Sequence, residues 1–131
     1  MTPTLYYIIY SAALTLLALL LGSFFRNRLW TLQGLKIGLG NRDHVPPPTP
    51  LSGRADRAAM NTLENFVLFA ALALTAHVAG IDNAQVALGA GMFFWARVAY
   101  LLAYLLGIVY LRTLVWLIGL AGLVMIAAAL F

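Results

Sequence analysis

The residues of this chain that can do chemistry are few, and they cluster. One run reads Arg54-Ala55-Asp56-Arg57-Ala58-Ala59-Met60-Asn61-Thr62-Leu63-Glu64-Asn65. At 3.6 residues per turn, Arg54, Arg57, Asn61, Glu64 and Asn65 fall along one broad helical face. A second run carries Arg97, Tyr100 and Tyr104, spaced i, i+3 and i+7, again on one face. Arg112 follows a short turn later. Guanidinium groups hold carboxylates and similar anions through bidentate hydrogen bonds. The set therefore reads as a site for an anionic ligand.

The surrounding composition makes such a cluster expensive. Hydrophobic residues make up 63% of the 131 residues and charged residues only 9%. Soluble domains carry roughly 25% charge. An ordinary globular domain and a disordered chain are both excluded, and a small integral membrane protein is expected. There is no cysteine, so disulfides, thiolate zinc sites and a cysteine nucleophile are excluded as well. His44 and His77 are far apart in sequence and make no metal site. No Gly-rich phosphate loop and no Ser/His/Asp set is present. No nucleic-acid partner is expected.

Four apolar segments supply the scaffold, at about 5–25, 58–80, 84–106 and 112–130, each near the ~20 residues that a bilayer core requires. The expectation is an all-α, integral membrane four-helix bundle forming a single unit over 1–131. Between the first two spans, 26–57 holds most of the basic residues and Pro46, Pro47, Pro48 and Pro50, and it reads as a partly extended loop. The first segment is a retained span rather than a signal peptide: Met1–Thr4 has no basic residue and the apolar stretch exceeds an h-region. The long loop and the turn at Arg112 carry all the loop Lys and Arg, whereas the turn at 80–83 has only Asp82. Positive loops stay cytoplasmic, so both termini are expected outside. Tyr6, Tyr7, Tyr10 and Trp30 fit aromatic belts at the two interfaces. Gly89, Gly91, Gly119 and Gly122 fit close helix contacts.

Depth sharpens the case. Glu64 is the only glutamate and sits about two turns inside its helix, while Arg97 lies well away from its helix end. An ionised group near mid-bilayer costs at least about 2.5–3.5 kcal/mol on insertion scales. Opposite charges at similar depth predict that Glu64 and Arg97 are close, by a salt bridge or through shared polar partners. Such a pair alone serves equally as bundle glue. Arg57, Asn61, Tyr100, Tyr104 and Arg112 at the same end exceed what helix association needs.

The run Arg57-x-x-x-Asn61-x-x-Glu64-Asn65, followed by Arg97-x-x-Tyr100-x-x-x-Tyr104, resembles the MAPEG family, the membrane-associated proteins in eicosanoid and glutathione metabolism. Length, four spans and the basic first loop also match, and the likeness is to a bacterial-type microsomal glutathione transferase. The resemblance implies a homotrimer with glutathione bound between subunits near the cytoplasmic side of a bacterial inner membrane. It implies Arg57, Asn61 and Glu64 as contacts from the second span, Arg97, Tyr100 and Tyr104 from the third, and Arg26 as a further contact. Arg112 is similar in placement to the arginine credited with stabilising the thiolate. Ala59 stands where several members have His, Trp116 where some have Tyr, and Met60 where the prostaglandin synthase branch has Arg. That branch is disfavoured, and nothing supports a leukotriene synthase.

Glutathione's chemistry fits these residues. Its carboxylates suit the arginines and its ammonium suits Glu64. A thiol with a pKa of about 8.5 is mostly protonated at pH 7, and lowering it about two units takes ~2.7 kcal/mol of preferential thiolate stabilisation. An arginine, alone or with a tyrosyl hydroxyl, can supply that in a partly dry site. The expected activity is a glutathione-dependent transferase or peroxidase acting on hydrophobic electrophiles or lipid hydroperoxides that arrive through the bilayer. The alternative is a non-catalytic trimeric membrane protein that binds an anionic small molecule or a partner. A small exporter is disfavoured, because the first span has no acidic or basic side chain.

Overall fold

The computed structural model describes all 131 residues and contains five helices and no strand. They are α1 (Pro3–Asn27), α2 (Leu32–Leu39), α3 (Pro50–Val78), α4 (Ala84–Leu106) and α5 (Val109–Ala129). The four long ones are apolar enough to cross a membrane. α4 packs most extensively on α5, and α1 on α3, while α3 and α4 join the two pairs.

Each start is set locally. Thr2 caps α1 and Asn83 caps α4 through side-chain oxygens that accept backbone N–H groups. Thr49 and Ser52 form a reciprocal capping box at the head of α3, with Pro50 in its first turn. This corrects the expected loop at 26–57. Pro50 opens a helix there instead of preventing one, so Arg54 and Arg57 are helical. Thr31 caps the short α2 inside the same region. The turn at 28–31 and the stretch at 40–49, with Pro46–Pro48, lie outside the helices. α3 has 29 residues and is about 43 Å long at 1.5 Å per residue, so its polar first turns project beyond a ~30 Å hydrocarbon core.

Two buried clusters divide the bundle. At the end away from α2, Phe69 and Phe93 stack at 4.3 Å between Ala73, Val86, Ala90, Leu123 and Ile126. Gly89 and Gly122 bring α4 and α5 together there: a Cβ on Gly122 would stand 2.6 Å from the Gly89 carbonyl oxygen. The other two glycines differ from that expectation. Gly91 faces the Tyr7 ring, and Gly119 has ordinary room beside Ala96. At the opposite end Ala18, Ala58 and Ala59 surround Tyr100, Leu101, Tyr104 and Val115. Small residues on α1 and α3 let the two tyrosines of α4 sit inside the bundle.

Candidate functional site

The site is built around those tyrosines. Their rings lie 5.4 Å apart on successive turns of α4. The Arg57 Nε on α3 donates to the Tyr104 hydroxyl at 3.1 Å. The Arg112 guanidinium, in the first turn of α5, stands 4.7 Å from the centre of the Tyr104 ring. Tyr104 thus has one guanidinium at its hydroxyl and another over its face. Arg97 lies 4.0 Å over the Tyr100 ring and its Nη2 donates to the Asn61 Oδ1 at 3.1 Å. The Asn65 amide donates to the Asn61 carbonyl oxygen at 2.8 Å and so braces Asn61 from the next turn.

Burial separates the roles these groups can take. Arg97 is 2% exposed, and its Nε has no partner. It lies behind Asn61 and Tyr100 and is absent from the walls of the adjoining cavity. That cavity has a volume of about 240 Å³ and is lined by Asn61, Tyr100, Arg112, Thr113 and Trp116. Arg112 is half-buried at its edge and Arg57 is exposed beside it. No carboxylate pairs with Arg57, Arg97 or Arg112, since the one ion pair in the chain lies elsewhere. Aromatic faces and an amide oxygen stabilise the three cations only partly. The end of the bundle therefore carries uncompensated positive charge next to a cavity.

One expectation is corrected. Glu64 does not meet Arg97; its side chain is exposed on the outside of the protomer and takes part in no ion pair. The reason is azimuth. Glu64 is three residues beyond Asn61 and so sits about 60° away from it around α3, on the exposed side, while Asn61 reaches Arg97 on α4. Asn61 is the partner Arg97 finds. Arg26 is not with the cluster either. Its Nε pairs with Asp56 at 3.6 Å and its Nη1 donates to the Pro46 carbonyl, fastening the proline stretch to the end of α1. The structure thus brings together Arg57, Asn61, Arg97, Tyr100, Tyr104 and Arg112, and leaves Arg26 and Glu64 apart within one protomer.

Sequence reasoning does not single out Thr113 as a site residue, nor Trp116 as a wall of the cavity. On α5 Arg112 and Trp116 stand at i and i+4, and Thr113 and Trp116 at i and i+3, spacings that set both beside the indole. Arg54 packs its guanidinium against Gly107, the left-handed residue that ends α4. It ties the head of α3 to the turn that presents Arg112.

The family model for the MAPEG family matches residues 3–131, nearly the whole chain. No curated protein matches the sequence.

Proposed function

We propose a function that starts from one fact: the chain belongs to the MAPEG family. Membership suggests glutathione-related transferase or peroxidase chemistry, or a role in eicosanoid metabolism. We read this member as a glutathione-dependent transferase or peroxidase with its site at the cytoplasmic end of a homotrimer. The observation that carries the reading is the cavity edged by Arg112 and Asn61 in a cluster of arginines without carboxylates.

The cavity is smaller than the roughly 300 Å³ at which drug-sized pockets begin. A tripeptide has to extend beyond it, and Arg57 and Glu64, both exposed on the protomer, are the groups with which a neighbouring subunit would complete the site. Arg57 would hold a carboxylate of glutathione and Glu64 its ammonium. Arg97 would keep Asn61 and Tyr100 in place from behind. Arg112, aided by the Thr113 hydroxyl, would stabilise the thiolate against the protonated thiol. The thiolate sulfur would then bond to an electrophilic carbon as the leaving group departs with its electron pair. With a hydroperoxide, two glutathione thiols would be oxidised to a disulfide while the peroxide is reduced to an alcohol and water.

A non-catalytic reading has one observation in its favour. The indole of Trp116 lines the cavity, so Thr113 and Tyr100 are its only hydroxyl-bearing walls. Ultraviolet absorbance of the glutathione thiolate on the purified protein, with turnover of a panel of hydrophobic electrophiles, separates the two. Thiolate formation with turnover, both lost in Arg112→Ala, supports the enzyme. Binding without turnover supports the alternative. Full activity in Arg112→Ala would remove that residue from the chemistry.

A further inference from the structure

The elbow between α1 and α2 holds a second polar cavity, of about 370 Å³, with Asn27, Arg28, Thr31, Gln33, His44 and Pro46 in its wall. It shares no lining residue with the cavity at Arg112. Asn27 is 2% exposed, and its amide nitrogen is committed to the Ser23 carbonyl and hydroxyl at 3.1 Å. Its Oδ1 is buried with no donor. A buried carbonyl of this kind is costly unless a donor reaches it. The wall contains Arg28 and His44 and no acidic side chain. The capped N-terminus of α2 also adjoins it, through Thr31 and Gln33, and favours negative charge. The chemistry asked for is an anion with a hydrogen-bond donor beside it.

The outer surface of the elbow indicates where that ligand comes from. Leu32, Leu35 and Leu39 are exposed at i, i+3 and i+7, one face of α2. The exposed Trp30 packs 5.4 Å from Phe24, at the end of the first membrane span. Lys36 and Arg42 are exposed nearby. An apolar stripe with basic flanks is the pattern of a helix lying in the membrane interface. Gly34 fixes it there, because a Cβ would collide with the Asn27 and Arg28 carbonyls.

We propose that this elbow binds the headgroup of an anionic phospholipid whose phosphate is accompanied by a hydroxyl or ammonium donor. Arg28 and the α2 N-terminus take the phosphate, and Asn27 accepts the donor.

The test is native mass spectrometry of the full chain in neutral detergent. Three probes are added: phosphatidylglycerol, phosphatidylmethanol (same charge, no headgroup hydroxyl) and soluble glycerol-1-phosphate. Phosphatidylglycerol is expected to be retained about fivefold better than phosphatidylmethanol, the effect of one hydrogen bond. Arg28→Gln should lower retention of both lipids about tenfold, as loss of a charged hydrogen bond does. Asn27→Ala should equalise the two lipids. If that variant does not fold, the wild-type lipid comparison and the exposed Arg28 carry the result. Equal retention of both lipids by the wild type, or unchanged retention in Arg28→Gln, would overturn the proposal. So would glycerol-1-phosphate binding as tightly as phosphatidylglycerol, which would make this a site for soluble phosphate esters.

Discussion

The Nε of Arg57 donates to the Tyr104 hydroxyl at 3.1 Å, and this bond joins the polar head of α3 to the buried face of α4. It fixes the direction of an exposed guanidinium that would otherwise sample many rotamers. Preorganising a charged group is worth affinity because the ligand no longer has to order it.

Tyr104→Phe is accordingly expected to weaken glutathione binding about threefold to tenfold, the effect of one ordinary hydrogen bond. The ring, and with it the face that Arg112 covers, is kept. The effect should fall on KM more than on kcat. A loss confined to kcat would place the tyrosyl hydroxyl at the thiolate instead.

Asn61 is the acceptor for a guanidinium buried inside the bundle. Asn61→Ala leaves Arg97 without its hydrogen bond across the helix interface. A destabilisation of about 1.5–3 kcal/mol is expected, the cost of orphaning a hydrogen bond to a charged group. Asn61→Asp keeps an acceptor and should recover much of it. Thermal unfolding in detergent measures both, and an unchanged midpoint in Asn61→Ala would mean that the bond contributes nothing.

The long spans and the inward polar face are readable from the chain because hydrophobicity and helical period encode them directly. Arg57, Asn61, Tyr100 and Tyr104 come together as their spacing says. The short α2 is not readable in that way. It has eight residues, two of them Gly34 and Gly38, and its stability comes from the Thr31 cap and from packing on the elbow. The head of α3 is hidden for a related reason: Pro50 follows a proline run, and only the Thr49–Ser52 capping box reveals that it starts a helix. Glu64 fails for want of angular precision. A broad polar face does not say which of its edges turns toward α4, and the shift of about 60° between Asn61 and Glu64 decides between partner and exposure.

Gly122→Ala tests the backbone approach of α4 and α5. The added methyl would stand 2.6 Å from the Gly89 carbonyl oxygen and 3.0 Å from the Phe93 nitrogen, both backbone atoms that cannot rotate away. Overpacking of this kind costs about 1–3 kcal/mol. Gly119→Ala, one turn earlier, meets only Ala96 at an ordinary 3.5 Å and should be tolerated. Equal stability of the two variants would show that the helices separate without penalty.

Glu64 gives the sharpest test of where a bound tripeptide would lie. It is one turn beyond Asn61 on α3, yet it is exposed and unpaired, so a protomer alone has no use for it. An acidic side chain at that depth is costly unless something positive meets it in the assembled protein. If that something is the ammonium of glutathione held between subunits, Glu64→Gln should weaken glutathione about tenfold, as loss of a charged hydrogen bond does. N-acetylated glutathione, which lacks the ammonium, should bind the variant and the wild type equally. Chemical cross-linking checks that the oligomer survives the change. Parallel losses for both ligands would mean that Glu64 supports the assembly and never touches the tripeptide, while no loss for either would take it out of the site altogether.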